Sequence, residues 1–176
     1  MRVVAGLAGG RRLQAPAGRK VRPTSERVRE ALFNSLGSLD AVEGAAVVDL
    51  FAGTGALGIE ALSRGAVSAV FVDADPRAVS VIKDNLRATG LAEQARVVQS
   101  DVLRFLADAE GTFYDVAFAD PPYAFEDWPA LLAVLPARLV AIEARTHVAL
   151  GPEWGPLRSK RYGDTVVTLA RRVEGE

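Results

Sequence analysis

From residue 46 to residue 144 the sequence alternates short apolar runs with segments of helical character. Continuous apolar strands joined by helices predict a parallel sheet that is covered by helices on both faces. The last stretch, "LRSKRYGDTVVTLARRV", has two β-type runs around Gly163 and Asp164, which predicts an antiparallel hairpin at the end of the sheet. We therefore expect an α/β fold with strands at 46–51, 67–73, 95–99, 114–120 and 138–144 and helices at 56–64, 76–89, 101–109 and 127–136.

The segment before this alternation predicts a smaller unit. Residues 2–14 read as a β-hairpin, with "RVVAG" and "RRLQA" on either side of a glycine-rich turn. "RPTSERVREALFNSLG" reads as a helix that starts near Pro23, with Thr24 or Ser25 as its cap, and ends at Gly37. We expect a basic extension over residues 1–40 and the main domain over residues 41–176.

Charge is distributed unevenly along the chain, although its formal net charge is only −1. Residues 1–30 carry eight basic side chains against Glu26 and Glu30, a net charge of +6, whereas residues 31–157 have a net charge of −9. A basic run is either a solvated arm or a contact surface for a polyanion. The basic residues of this extension are Arg2, Arg11, Arg12, Arg19, Lys20, Arg22, Arg27 and Arg29.

Composition narrows the class of protein further. The chain has 176 residues, of which 49% are hydrophobic, yet no apolar stretch approaches the roughly 20 residues that span a bilayer. It has no cysteine and a single histidine, His147, so we expect neither a disulfide framework nor a metal site. The expectation is a cytoplasmic protein without a signal peptide or membrane contact.

A glycine-rich turn follows the first predicted strand. Gly53, Gly55 and Gly58 match the spacing G-x-G-x-x-G, and Asp73 ends the next strand 18 residues after Gly55. Glycines let a ligand approach the backbone, and a carboxylate at the end of the second strand suits a ribose diol. The pattern predicts a nucleotide-like ligand without saying which one.

Two cofactors compete for this turn, a nicotinamide dinucleotide and S-adenosylmethionine. Asp49 before the turn and Asp120 after the fourth strand would make the crevice negative, which favours a sulfonium and an ammonium over a pyrophosphate. Asp101, after the third strand, is placed to accept from a purine amine, but it is equally suited to cap the next helix.

The tetrapeptide "DPPY", residues 120–123, lies where the fourth strand ends beside the glycine turn. Pro121 holds Asp120 extended, and because neither proline has an N–H, the Asp120 carboxylate and the Pro121 carbonyl are left as acceptors. Two adjacent acceptors suit an exocyclic amine, and Tyr123 would stack on its base for about 1–3 kcal/mol. These three residues are the predicted catalytic group.

In combination, these motifs resemble a known family. "RPTSERVREALFNSL", "DLFAGTGALGIEAL", "FVDAD", "SDVLRFL" and "FADPPY" are similar, in that order, to the bacterial 16S rRNA guanine-N2 methyltransferases of the RsmD type. The resemblance implies a seven-stranded class I methyltransferase (Rossmann-like) fold, S-adenosylmethionine as methyl donor, and a guanine N2 amine of the small ribosomal subunit as acceptor. It also implies that the segment holding Arg22, Thr24 and Arg27 covers the cofactor and touches RNA. Separately, we expect a monomer.

The resemblance also assigns the cofactor residues one by one. Asp49, Gly53 and Gly55 would surround the methionine part, Asp73 would bind the ribose, and Asp101 and Val102 would hold the adenine. Phe51 and Thr24 complete this set. The arginines and the lysine of the basic extension other than Arg29 form the predicted RNA-binding set.

Other functions remain open at this point. An adenine-N6 methyltransferase acting on DNA or RNA would use the same loop, since that loop suits any exocyclic amine. A protein glutamine methyltransferase would leave the basic extension without a role. A nicotinamide oxidoreductase would leave "DPPY" unexplained. A catalytically silent RNA-binding module would not need the acidic residues of the crevice. Glu143 is expected to be a structural acid at the rim of the crevice.

Overall fold

The computed structural model describes residues 1–17 and 25–175. Five α-helices, a short 3-10 helix at Ala92–Gln94 and seven strands follow one another along them. The helices are α1 Glu26–Ser38, α2 Ala56–Ser63, α3 Pro76–Thr89, α4 Val102–Asp108 and α5 Trp128–Val134. The strands are β1 Ala46–Leu50, β2 Ser68–Asp73, β3 Ala95–Gln99, β4 Tyr114–Ala119, β5 Ala137–Ala144, β6 Trp154–Tyr162 and β7 Thr165–Arg172.

All seven strands form one sheet in the order β3-β2-β1-β4-β5-β7-β6. β1 to β5 are parallel, and β7 pairs antiparallel with both β5 and β6. The predicted parallel sheet with a terminal antiparallel hairpin is therefore confirmed. Leu50 of β1 lies level with Val72 of β2 and Ala119 of β4, so the residues that follow these three strands meet at one edge of the sheet.

Two apolar clusters pack against the two faces of the sheet. Phe33 of α1, Ile59 of α2 and Ile82 of α3 belong to one cluster, and Phe105 of α4 and Leu131 of α5 belong to the other. Burial of an apolar side chain of this size stabilises the fold by about 1.5–3 kcal/mol. Helices on both faces are what the uninterrupted apolar strands predict.

The helix boundaries follow local sequence signals, and α1 differs from expectation at its end. Ser25 caps α1 by accepting from the Val28 N–H, but the helix continues through Gly37 to Ser38. Gly90, with a φ of 74°, ends α3 as predicted. The proposed start of α1 at Pro23 and Thr24 lies outside the described residues.

The predicted hairpin at residues 2–14 has an antiparallel bridge between Arg2 and Arg12, and backbone hydrogen bonds between Val3 and Arg11 and between Leu13 and Met1 join the same two arms. It docks on α2, because the Leu7 N–H donates to the Ser63 carbonyl at 2.8 Å. Val3, Ala8 and Leu13 are buried in the same apolar cluster as the sheet. These residues thus share the core of the main domain. No helix within the two described ranges is long and apolar enough to cross a membrane.

Candidate active site

A cleft of about 940 Å³ opens at the carboxyl ends of β1, β2 and β4. Most of the residues predicted for cofactor binding and catalysis line this one cleft. They are Asp49, Phe51, Gly53, Asp73, Asp101, Val102, Asp120, Pro121 and Tyr123. Thr24 lies outside the described residues, and Gly55 does not line the cleft.

The Asp73 carboxylate fixes the glycine turn. Its Oδ2 accepts the Gly53 N–H and its Oδ1 accepts the Asp75 N–H, each at 2.9 Å. Each carboxylate oxygen has more than one acceptor position, so these bonds leave capacity for a ligand hydroxyl. Gly53 has a φ of 60°, and a Cβ added there would have only the Phe51 carbonyl oxygen within 4 Å, at 3.9 Å. The backbone at Gly53 therefore faces open space in the cleft.

Gly55 and Gly58 pack against the protein. A Cβ at Gly55 would lie 3.3 Å from both Ile59 and Ile82, and Gly55 has a φ of 80° as the residue that precedes α2. A Cβ at Gly58 would lie 2.4 Å from the Phe71 ring. The absence of a side chain at Gly55 thus permits the close approach of α2 to its neighbours, and the contact predicted between Gly55 and the methionine part stays a prediction.

Asp49 is buried beneath the turn, with 1% of its surface exposed. Its Oδ2 accepts the Gly58 N–H at 2.9 Å. Burial raises the pKa of this carboxyl to about 8, against the lowering effect of the Gly58 N–H, and the nearby Asp73 charge adds to the rise. A cation bound in the cleft would favour the ionised form, so Asp49 is suited to recognise a positively charged ligand.

Asp101 performs the capping role that its position permits. Its Oδ1 accepts the Arg104 N–H at 3.1 Å at the start of α4, and its carboxyl also lies on the cleft wall. Val102 follows it and is buried. The two interpretations of Asp101, cap and ligand contact, are compatible in this geometry.

The Asp120–Tyr123 loop leaves β4 directly into the cleft. Pro121 is buried, and the Pro122 carbonyl accepts the Phe125 N–H at 2.9 Å, which closes a tight turn. The Arg145 guanidinium lies 4.5 Å from the centre of the Tyr123 ring, and the Tyr123 hydroxyl lies 3.5 Å from Thr165 Oγ1. The loop is therefore held in a fixed shape with an aromatic ring at the mouth of the cleft.

Other wall residues were not in the predicted set. Met1 and Pro16 reach the cleft from the N-terminal segment, and Glu143 reaches it from β5, in keeping with the expected acid at the rim.

A buried asparagine, Asn85 of α3, supports the glycine turn from behind. It donates to the Thr54 carbonyl at 2.9 Å and to the Gln14 carbonyl at 3.0 Å. In the sequence, Asn85 can be noticed only as a polar residue next to Leu86 on the apolar face of the predicted helix.

The basic residues of the N-terminal extension do not form one uniform surface. Arg2, Arg11, Arg12 and Arg27 are all exposed, and Arg11 Nη1 also donates to the Ala88 carbonyl at 3.0 Å near the end of α3. Arg29 is fully buried and lies against Glu60, so its charge is not available to a polyanion. Arg19, Lys20 and Arg22 lie outside the described residues.

His147 lies away from any grouping of metal ligands. Its Nδ1 is 3.0 Å from Ser159 Oγ. Within residues 1–17 and 25–175, no three His, Cys, Asp or Glu side chains are grouped so as to hold a metal ion.

Strand order, glycine turn and the acids that line the cleft together define the chain as a class I methyltransferase. The solved structure "Putative methyltransferase yhhF from Escherichia coli" superposes with a TM-score of 0.84 at 35% identity, over 98% of this chain and 97% of that one. The chain belongs to the family described as "Conserved hypothetical protein 95", which matches residues 1–171.

Two curated relatives support the same assignment. The "Putative rRNA methyltransferase YlbH" of Bacillus subtilis (strain 168) is 42% identical over 98% of this chain and 99% of its own length. The "Ribosomal RNA small subunit methyltransferase D" of Haemophilus influenzae is 34% identical over 93% of this chain and 89% of its own length. The resemblance to the RsmD type is therefore confirmed over nearly the whole chain.

Proposed function

We propose that this protein transfers a methyl group from S-adenosylmethionine to the exocyclic N2 amine of a guanine in 16S rRNA. The observation that carries the proposal is that the Asp120–Tyr123 loop and the glycine turn open onto the same cleft. Relatives similar along nearly the full chain are named as rRNA methyltransferases, one of them of the small subunit. A methyl donor and an amine held by these two elements would meet between β1 and β4.

The chain's own residues fit the proposed cofactor. S-adenosylmethionine supplies an electrophilic methyl group on a cationic sulfur, together with an ammonium group and a ribose diol. Asp49 beneath the glycine turn would favour the ammonium, and Asp73 at the end of β2 would accept from the diol. Open space at Gly53 lets a ligand approach the backbone there. Phe51, Asp101 and Val102 line the remaining wall, where they would enclose the adenine.

Asp120 and the Pro121 carbonyl would hold the target amine. An exocyclic amine has two N–H bonds that point apart, and two fixed acceptors would bind both and direct the nitrogen lone pair toward the methyl group. The turn closed by Phe125 and Pro122 keeps the acceptors in place. Tyr123 would support the plane of the base, which has to leave its stack at a cost of a few kcal/mol.

The proton balance of this reaction needs no strong base. Once the nitrogen carries the methyl group it is positively charged and acidic, and it loses one N–H proton. The Asp120 carboxylate would already accept that N–H, so the proton has a short path to this oxygen or to solvent. Binding and orientation are therefore the main tasks of the loop.

Arg2, Arg11, Arg12 and Arg27 are exposed in the described part of the N-terminal extension, where they would contact RNA. RNA contacts from Arg19, Lys20 and Arg22, and the cofactor contact from Thr24, are predicted as well. We also propose that the extension ends at residue 40, where the main domain begins, and that the protein is a monomer located in the cytoplasm.

The decisive experiment is methyl transfer to small ribosomal subunits that lack the modification. With isotope-labelled S-adenosylmethionine and nucleoside analysis, we expect label in N2-methylguanosine. Label in N6-methyladenosine would favour the adenine alternative, and no label in RNA would overturn the proposal. Large ribosomal subunits serve as the control acceptor and should remain unlabelled.

A further inference from the structure

We infer that Arg145, Lys160 and Arg161 form a second RNA-binding surface, which contacts the phosphates next to the flipped base. This inference rests on the proposed function and adds to it a surface on the C-terminal hairpin. All three side chains are exposed. We call this group the hairpin surface.

Direct contacts tie the hairpin surface to the catalytic loop. Arg145 stacks on Tyr123 at 4.5 Å, and Arg161 Nη1 donates to the Arg145 carbonyl at 3.3 Å. The Tyr123 hydroxyl lies 3.5 Å from Thr165, the residue that pairs with Tyr162 at the end of β6. Lys160 and Arg161 precede Tyr162 on the edge strand β6, and their side chains leave opposite faces of that strand. Lys160 lies beside Tyr162 and Arg161 reaches Arg145, so the three cations lie on both sides of the strand end that adjoins the cleft mouth.

The charges of this corner favour an anion. Arg145, Arg158, Lys160 and Arg161 carry four positive charges, against three negative ones on Asp120 and Glu143 at the cleft wall and Asp164 in the turn. Among the described residues, none of the three cations of the hairpin surface forms an ion pair with an acid. Exposed cations of this kind can each neutralise a phosphate of an RNA backbone and release its counterion.

Cations and aromatic rings alternate at this corner. Besides the Arg145–Tyr123 pair, the Lys160 ammonium lies 5.2 Å from the centre of the Tyr162 ring. Basic side chains interleaved with aromatic rings are typical of surfaces that bind single-stranded nucleic acid, because phosphates meet the cations and bases stack on the rings. A target nucleotide turned out of its stack has unpaired neighbours of that kind.

The position of the surface complements the N-terminal segment. Arg11 contacts the end of α3, and α3 packs on β3 and β2 at one edge of the sheet. The hairpin surface lies at the opposite edge, which is formed by β6. The cleft lies between them. An RNA strand that enters the cleft would therefore be held from both sides.

The test compares charge reversals of equal size on the same sheet. Lys160→Glu and Arg161→Glu alter the hairpin surface, and Arg138→Glu alters an exposed arginine at the opposite end of β5. Binding is measured by co-sedimentation with small ribosomal subunits at several salt concentrations, without turnover. Binding of S-adenosylmethionine is measured separately by calorimetry, which reports whether the fold and cleft are intact.

We expect Lys160→Glu and Arg161→Glu to weaken subunit binding on the order of tenfold relative to Arg138→Glu. The slope of log affinity against log salt should fall by about 0.7 for each phosphate that the variant no longer neutralises. Equal affinity and slope in all three variants would overturn the inference, as would an equal loss of cofactor binding. A failure of the wild type to methylate these subunits would instead contradict the proposed function, since binding is scored independently of transfer.

Discussion

The Arg29 guanidinium lies 3.6 Å from the Glu60 carboxylate, and both side chains are fully buried. Glu60 also accepts the Val4 and Ala5 N–H groups at 2.9 and 3.0 Å, and Arg29 Nη2 donates to the Arg2 carbonyl at 2.8 Å. Burial lowers the pKa of Arg29, and the Glu60 charge opposes that effect. This pair joins α1, the N-terminal hairpin and the helix that follows the glycine turn.

Glu60→Gln should destabilise the protein by about 3–5 kcal/mol, because it leaves the Arg29 charge buried without its partner. Arg29→Met in the same chain should restore part of the loss. Urea denaturation of the two single variants and the double variant measures the coupling. Arg64→Ala, which removes the more exposed partner of Glu60, is the control and should cost far less. If the losses in unfolding free energy for Glu60→Gln and Arg29→Met simply add in the double variant, the two side chains are not coupled and the prediction is wrong.

Asp49→Asn should change how stability depends on pH. The carboxyl has a pKa of about 8 in the fold against 3.8 ordinarily, so the folded chain holds a proton that the unfolded chain releases. The free energy of unfolding therefore falls as pH rises from about 4 to about 8, by at most about 1.4 kcal/mol per pH unit. The Asn variant lacks this contribution, and its stability relative to wild type should increase over that range.

Denaturation of wild type and Asp49→Asn at pH 6, 7 and 8 checks this dependence. Asp84→Asn, on the exposed side of α3, provides a control for a generic loss of negative charge. Parallel stability curves for wild type and Asp49→Asn would show that the buried carboxyl does not titrate in this range.

Asp120→Ala should retain cofactor binding and lose turnover, on the order of 100-fold in kcat, because the amine would no longer be oriented. Calorimetry with S-adenosylmethionine and the labelled-subunit assay separate the two effects. Asp120→Asn keeps the shape of the side chain and should fall between wild type and Asp120→Ala. A collapse of cofactor affinity in Asp120→Ala would mean that this carboxylate serves the cofactor.

Gly53→Ala and Gly58→Ala should fail in different ways. At Gly53, an alanine would have to adopt a φ of 60°, which costs about 1–2 kcal/mol. Its methyl group would also project into the open cleft space where the cofactor is proposed to bind, so cofactor affinity should fall. At Gly58 the methyl group would overlap the Phe71 ring, so stability should fall by about 1–3 kcal/mol. Phe71→Leu should rescue Gly58→Ala and leave Gly53→Ala unchanged.

The sheet and the position of most predicted site residues at the cleft could be predicted from the sequence because both depend on local patterns. Five apolar runs and one hairpin determine the strands, and the carboxyl ends of parallel strands bring Asp49, Asp73 and Asp120 to one edge. The packing roles of other residues depend on tertiary contacts. Gly55 belongs to a ligand motif by spacing, yet its neighbours in space are Ile59 and Ile82.

Arg29 shows why charge counting along a sequence is limited. It lies in a basic run, but it shares the buried face of α1 with Leu32 and Phe33. Its partner is the one acid within the apolar helix "ALGIEALS". Asn85 is similar, since only the fold reveals that it joins Gln14 to the glycine turn. Pairing two buried polar residues across helices requires knowledge of how the helices pack.

The aromatic contacts beside the cleft have a practical consequence. Phe51 on the cleft wall packs edge-on against Phe125 at 5.1 Å, and Phe125 packs in the same way against Trp128 at 5.2 Å. The other tryptophan, Trp154, is buried and bonded to the Leu132 carbonyl. A ligand that displaces Phe51 should alter the fluorescence of Trp128 and leave that of Trp154 unchanged. Trp128 would then serve as an intrinsic optical reporter of cleft occupancy, with Trp154 as a reference in the same molecule.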